Sequence, residues 1–217
     1  MVGLGHKEFF MFKYANEKQV QAYHEFCSAR LNQLKQYFSN EFEIQTKFSL
    51  IGSGSKKLVT QNNNLPFDLD YNFEILNRSI KELDMKKLKN CVMDFLNSVV
   101  YEEYEYYKKC QDSTSAITIR KVVNGKLEFS FDVAILAKSS KGNYCRLIHD
   151  KKLEKYDWNP IPDSKEVYER LNELKSNGYW EDIKELYLSK KNMYLRKNEN
   201  RCSFEIFVET INELWFQ

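Results

Sequence analysis

The sequence predicts an α+β fold: a small mixed, twisted β-sheet flanked by helices, followed by a helical C-terminal region. Three observations carry this expectation. Apolar residues recur at helical spacing over 17–38, alternate at strand spacing over 44–51, and alternate again on both sides of Asn124-Gly125. Beyond Trp158-Asn-Pro-Ile-Pro162 only the helical period remains. That proline pair sets the expected boundary, with a core over 1–157 and a helical region over 158–217.

In chain order, Val20, Tyr23, Cys27, Leu31, Leu34 and Phe38 form one stripe of an amphipathic helix. Ile44, Thr46, Phe48 and Leu50 then face one way and Gln45, Lys47 and Ser49 the other, the pattern of a strand that runs into Gly52-Ser53-Gly54-Ser55-Lys56-Lys57. A polar loop over Thr60–Pro66 leads to a second extended run, Phe67–Leu76. Ser79 is placed to cap a helix reaching about Val99, with Ile80, Leu83, Leu88, Val92, Phe95 and Val99 on one face. Thr114–Val123 and Lys126–Leu136 read as a hairpin joined by Asn124-Gly125. A short basic extended run passes through Arg146 and His149. Asp163 or Ser164 then opens a helix that Gly178 ends, and two more helices cover Trp180–Lys190 and Ser203–Trp215.

Composition narrows the function classes. Thirty-three Lys+Arg against 31 Asp+Glu leave a net charge of +2 in 217 residues, which argues against strong double-stranded nucleic-acid binding driven by a global basic field. Aromatic residues at 15% exclude a disordered chain. The apolar patch Phe9-Phe10-Met11-Phe12 is too short for a signal-peptide core, and no stretch approaches the roughly 20 residues of a membrane span, so a cytoplasmic protein without membrane association is expected. Five scattered cysteines and three histidines (His6, His24, His149) show no metal-ligand spacing, and buried free thiols are the expectation.

Chemistry concentrates in three places that follow one another in a fixed order. The first is the glycine–serine turn at the end of a strand. The second is Asp68-Leu69-Asp70 within an apolar strand, and the third is Asp132 within Phe129–Ile135. Side chains at i and i+2 of a strand share a face, so Asp68 and Asp70 set two carboxylates side by side. Burying such a pair costs several kcal/mol apiece unless a cation compensates it, and hard Mg²⁺ prefers carboxylate and phosphate oxygens. If the strand of Asp132 lies beside that of Asp70, a third carboxylate completes a site for two ions. The glycines let backbone N–H groups approach phosphate oxygens closely.

Gly52-Ser53, Asp68-Leu69-Asp70 and Asp132 together resemble the motifs of the polymerase-β-type nucleotidyltransferase superfamily. Within it, Lys56-Lys57-Leu58, Leu65-Pro66-Phe67-Asp68 and Phe129-Ser130-Phe131-Asp132-Val133 look most like the branch of cyclic GMP–AMP synthase and the bacterial cyclic-oligonucleotide synthases. The resemblance spans about residues 15–137 and implies the nucleotidyltransferase fold. It further implies an NTP substrate and two Mg²⁺ (or Mn²⁺) ions, with Asp68 and Asp70 binding both metals and Asp132 completing the second site and helping to deprotonate the attacking hydroxyl. Gly52 with Ser53, or Gly54 with Ser55, would hold the triphosphate, and Lys56 or Lys57 would neutralise it. The acceptor stays open among a nucleotide, an RNA end, a protein and a small molecule. A catalytically silent nucleotide-binding module is the alternative.

Other features read as structural. The cluster Lys138, Lys141, Arg146, Lys151, Lys152 and Lys155 is read as a solvated face, and the aromatic run Tyr101–Tyr107 as helix-end packing or an exposed amphipathic turn. Tyr144, Trp158 and Trp180 are assigned to the core, and His149 is given no catalytic part.

Overall fold

A computed structural model of the chain describes residues 11–63 and 65–216, so Phe9, Phe10 and His6 lie outside the described residues. The elements in chain order are β1 (Phe12–Tyr14), α1 (Glu17–Phe42), β2 (Thr46–Ile51), α2 (Gly52–Ser55), β3 (Thr60–Asn62), β4 (Phe67–Ser79), a 3₁₀ turn (Ile80–Glu82), α3 (Met85–Leu96) continued by a π turn (Asn97–Tyr101), β5 (Gln111–Asp112), β6 (Ile117–Val123), β7 (Lys126–Lys138), β8 (Tyr144–Asp150), β9 (Lys155–Pro160), α4 (Lys165–Ser176), α5 (Trp180–Arg196) and α6 (Ser203–Trp215). They form two compact units. One holds Asn16–Val59 and Pro66–Asp163; the other holds the residues through Ala15, Thr60–Leu65 and Ser164 onward.

The larger unit is a seven-stranded sheet in the order β2-β4-β7-β6-β5, with β8 on β7 and β9 on β8. The pair β4–β7 is parallel and the others are antiparallel. One face is apolar. Phe67, Leu69, Tyr71 and Phe73 of β4 alternate inward beside Phe129, Phe131 and Val133 of β7, all buried. Helix α1 closes this face with Cys27, Leu31, Leu34 and Phe38, spaced four, three and four apart. Aromatic pairs fix the helix to the sheet. Tyr23 stacks on Phe129 at 3.9 Å, and Phe38 meets Phe73 edge-on at 5.3 Å. Asn16 caps α1 by accepting from Gln19 N, and Glu43 ends it in the left-handed region. On the same face Lys89 of α3 reaches Asp112 of β5 at 2.5 Å, and His149 of β8 binds the other Asp112 oxygen at 2.6 Å. His149 is thus buried and tied to Asp112.

In the smaller unit β1 and β3 pair antiparallel, Phe12 opposite Asn62. Asn192 of α5 holds this ribbon, accepting from Phe12 N at 2.7 Å and donating to Phe12 O at 3.0 Å. Leu171, Leu174, Ile183, Tyr187, Ile206, Phe207 and Ile211 form the core of the three-helix segment.

The sequence-based boundaries need several corrections. The larger compact unit runs to Asp163, and Trp158 and Pro160 lie in β9, paired with β8. The loop expected at 60–66 contains β3, whose partner lies near the start of the chain. Ser79 caps a single 3₁₀ turn with Glu82. Leu83 is then extended, and Asp84 caps α3 separately. The glycine–serine turn takes the form of one helical turn, α2. All five cysteines are free, but burial holds for Cys27 and Cys145 and not for Cys202, which is exposed. Among the described residues no helix is long and apolar enough to cross a membrane.

Candidate active site

Strand β2 ends with Ile51 opposite Asp70, and Gly52 turns away at φ +63°. A Cβ at Gly52 would stand 2.6 Å from Oδ2 of Asp70, so glycine alone lets the turn come against that carboxylate. Gly54 is tight for a different reason, since a Cβ there would meet Leu50 Cδ1 at 2.8 Å. The turn closes on itself. Leu58 N donates to Ser53 O at 2.9 Å, Ser55 Oγ to Gly52 O at 3.1 Å, and Lys56 Nζ to Gly52 O at 2.9 Å. Lys56 is therefore buried against the turn, whereas Lys57, at φ +56°, is exposed.

The three aspartates share the second face of the sheet. Parallel register sets Asp70 opposite Asp132 and Asp68 opposite Ser130. Asp68 is exposed; Asp70 and Asp132 are half-buried. Burial, followed by the carboxylates of Asp68 and Asp132, pushes Asp70 up to about 6, against the opposing pull of Arg146 and Lys56. Burial likewise raises Asp132, opposed by a hydrogen bond from Thr118. Oδ1 of Asp132 is buried and accepts no hydrogen bond. Among the described residues no three His, Cys, Asp or Glu side chains are drawn together as a metal cluster. Strand neighbours lie about 4.8 Å apart, which sets the backbone spacing of Asp70 and Asp132.

Two residues on this face, Thr118 and Arg120, escape the sequence reading, and a third, Arg146, is there read as part of a solvated cluster. Thr118 of β6 stands opposite Asp132 and binds Ser113 Oγ at 2.8 Å. Arg120, two residues on, stands opposite Ser130 and donates to Gln111. Arg146 of β8 stands opposite Leu136, its Nε buried without a partner. The sequence signal for Thr118 and Arg120 is their alternation with buried Ile117 and Ile119, which assigns them to the polar face. Arg146 separates from the lysines of its cluster: Lys138, Lys141, Lys151, Lys152 and Lys155 are exposed, as a solvated face requires.

No protein-family model matches the sequence, and no curated protein matches it. Solved structures do match. The GTP-bound form of DncV from Vibrio cholerae superposes with a TM-score of 0.57 at 16% identity, over 78% of this chain and 45% of that one. DncV in complex with GTP and 5MTHFGLU2 gives 0.58 at 14% identity, over 78% and 47%. A third, described as a cyclic AMP-GMP synthase and a prokaryotic cGAS homolog, gives 0.52 at 15%, over 69% and 39%. The chain spans less than half the length of these structures. The likeness establishes the fold, which is the nucleotidyltransferase fold that the motifs imply.

Proposed function

We propose that this chain is a metal-dependent nucleotidyltransferase that moves a nucleoside monophosphate from an NTP to a hydroxyl acceptor. The observation that carries the reading is the parallel register of Asp70 with Asp132, with Asp68 on the same face and Gly52 against Asp70. The fold of GTP-binding DncV supports it.

The residues fit a hard divalent cation. Three carboxylates crowd one face, two of them raised by burial, and a buried Asp132 oxygen has no partner. A cation there would remove the repulsion and desolvation cost together. Asp68 and Asp70 would hold both ions, and Asp132 the second. Bound Mg²⁺ or Mn²⁺ would polarise the α-phosphate and offset charge on the leaving group.

The chain's own residues divide the remaining work. Ser55 spends its hydroxyl on Gly52 O, which leaves Ser53 as the serine that contacts the triphosphate, beside the Gly52 and Gly54 backbone. Exposed Lys57 neutralises phosphate charge, while buried Lys56 stiffens the turn. Asp132, which Thr118 faces across the sheet, takes the proton of the acceptor hydroxyl. The hydroxyl oxygen then bonds to the α-phosphorus as the bond to the bridging oxygen breaks, and pyrophosphate leaves.

The test is pyrophosphate release and label transfer from each α-labelled NTP with Mg²⁺ or Mn²⁺, comparing wild type with Asp68→Ala/Asp70→Ala. Loss in the double variant supports the reading, and equal release in both refutes the site. Nucleotide binding without turnover in wild type would identify a silent binding module instead.

A further inference from the structure

Behind Asp132, a chain of polar contacts passes round the edge of the sheet. Thr118 of β6 stands opposite Asp132, and its Oγ1 lies 2.8 Å from Ser113 Oγ in the turn between β5 and β6. The carbonyl of Ser113 accepts from Lys89 Nζ of α3 at 2.7 Å. Lys89 Nζ also lies 2.5 Å from Oδ1 of Asp112, whose Oδ2 is 2.6 Å from His149 Nδ1. We propose that Lys89, Asp112 and His149 are positioning residues for Asp132, acting through Ser113 and Thr118.

Three observations carry this. First, the charges sit where packing alone does not call for them. Lys89 is 2% exposed and shares the buried side of α3 with Leu88, Val92 and Leu96. A buried ion pair gains little over apolar residues of similar volume, so its presence here points to what it holds in place. Second, the segment it holds has few other restraints. β5 is two residues long, and Ser113 N bonds within its own turn, to Ala116 O at 3.0 Å. Lys89 on Ser113 O and His149 N on Thr114 O, each at 2.7 Å, fix that turn from outside. His149 is itself clamped by Tyr156, whose ring stacks on it at 4.0 Å. Third, the far end of the chain meets the acid. A hydroxyl has one proton to give. When Ser113 donates to Thr118 Oγ1, Thr118 has its own proton for Asp132, and the Thr118 hydroxyl opposes the rise of that carboxyl. Thr118 is buried, so these neighbours orient its hydroxyl, and bulk solvent does not.

The inference deepens the nucleotidyl-transfer reading and rests on it for its kinetic readout. The test uses the full chain, with pyrophosphate release from the NTP that wild type turns over and circular dichroism to confirm each fold. Lys89→Met and Asp112→Asn, the second of unchanged shape, are each expected to lower kcat about tenfold with little change in KM, and Ser113→Ala to do the same. In a double-mutant cycle, Asp112→Asn/Thr118→Val should be no slower than Thr118→Val alone, because the triad acts through that hydroxyl. Carbon NMR of aspartate-labelled protein gives a second readout that needs no turnover. The Asp132 carboxyl signal, assigned from Asp132→Asn, should move in Asp112→Asn and in Ser113→Ala while that of Asp68 stays. Absence of transfer in wild type removes the nucleotidyl-transfer reading, and the Asp132 signal then decides the positioning by itself. The proposal is overturned if Asp112→Asn and Ser113→Ala keep the wild-type kcat, if the cycle is additive, or if the Asp132 signal does not move.

Discussion

Replacing Gly52 with alanine isolates the contact on which the site's geometry depends. Two costs arise. The residue sits at φ +63°, where a Cβ costs roughly 1–2 kcal/mol. The new methyl would also stand 2.6 Å from Oδ2 of Asp70, which must swing aside. Forcing the Asp70 side chain from its rotamer adds about 0.5–1.5 kcal/mol. The sum, about 1.5–3.5 kcal/mol, corresponds to a fall in Tm of roughly 3–14 °C for a chain of this size. Gly125→Ala is the control. It shares the positive φ, at +74°, but a Cβ there meets nothing within 4 Å, so only the backbone cost applies. Thermal melts of both variants separate the contributions, and nucleotide transfer shows whether the displaced carboxylate matters. Gly52→Ala is expected to melt below Gly125→Ala and to lose transfer, while Gly125→Ala keeps it. If the two variants melt together and Gly52→Ala retains transfer, the close approach to Asp70 is not what demands glycine.

Two further outcomes follow from the electrostatics. Asp70 is raised from 3.8 to about 6 in the folded chain, so its ionised form is disfavoured there. The penalty is present above pH about 6 and is relieved as pH falls toward the unfolded value of 3.8. With chelator present, Asp70→Asn should therefore stabilise the protein by about 3 kcal/mol at pH 7.5, much less at pH 4, and abolish transfer. Urea melts in which Asp70→Asn is the less stable protein at pH 7.5 would contradict this. Thr118→Val removes the hydroxyl that stands opposite Asp132 and opposes the rise of its carboxyl, and should lower kcat about tenfold with little change in KM, and Thr118→Ser should restore most of it. An unchanged kcat in Thr118→Val would leave Thr118 as packing alone.

The elements that carry the chemistry were legible because their signals are local. The stripe Cys27, Leu31, Leu34, Phe38 marks α1 by its period, and the same four residues are buried. Alternation marks β4, β6 and β7, and Asn124-Gly125 marks their hairpin, with both residues at positive φ. What escaped has short or distant signals. β1 and β3 are three residues each, and each finds its partner dozens of residues away. β9 contains Trp158 and Pro160, whose proline reads as a break although it lies at a sheet edge. Leu83 interrupts the helix expected over 79–99 because Asp84 offers a second cap, a competition that the apolar period does not reveal.

The sequence by itself determined which residues are the candidates: three aspartates on the polar sides of apolar strands, and a glycine–serine turn just after a strand. Those facts depend on neighbours one to four residues apart, where backbone geometry decides direction. Tertiary structure alone decided that β4 lies parallel to β7 with Asp70 opposite Asp132, and that Gly52 meets Asp70. It also decided that Lys56 is buried while Lys57 is not, and that Thr118, Arg120 and Arg146 join the acidic face from other strands. The reason is that register follows from which strands bury their apolar faces together under α1. A shift of one residue would have sent each of these side chains to the opposite face.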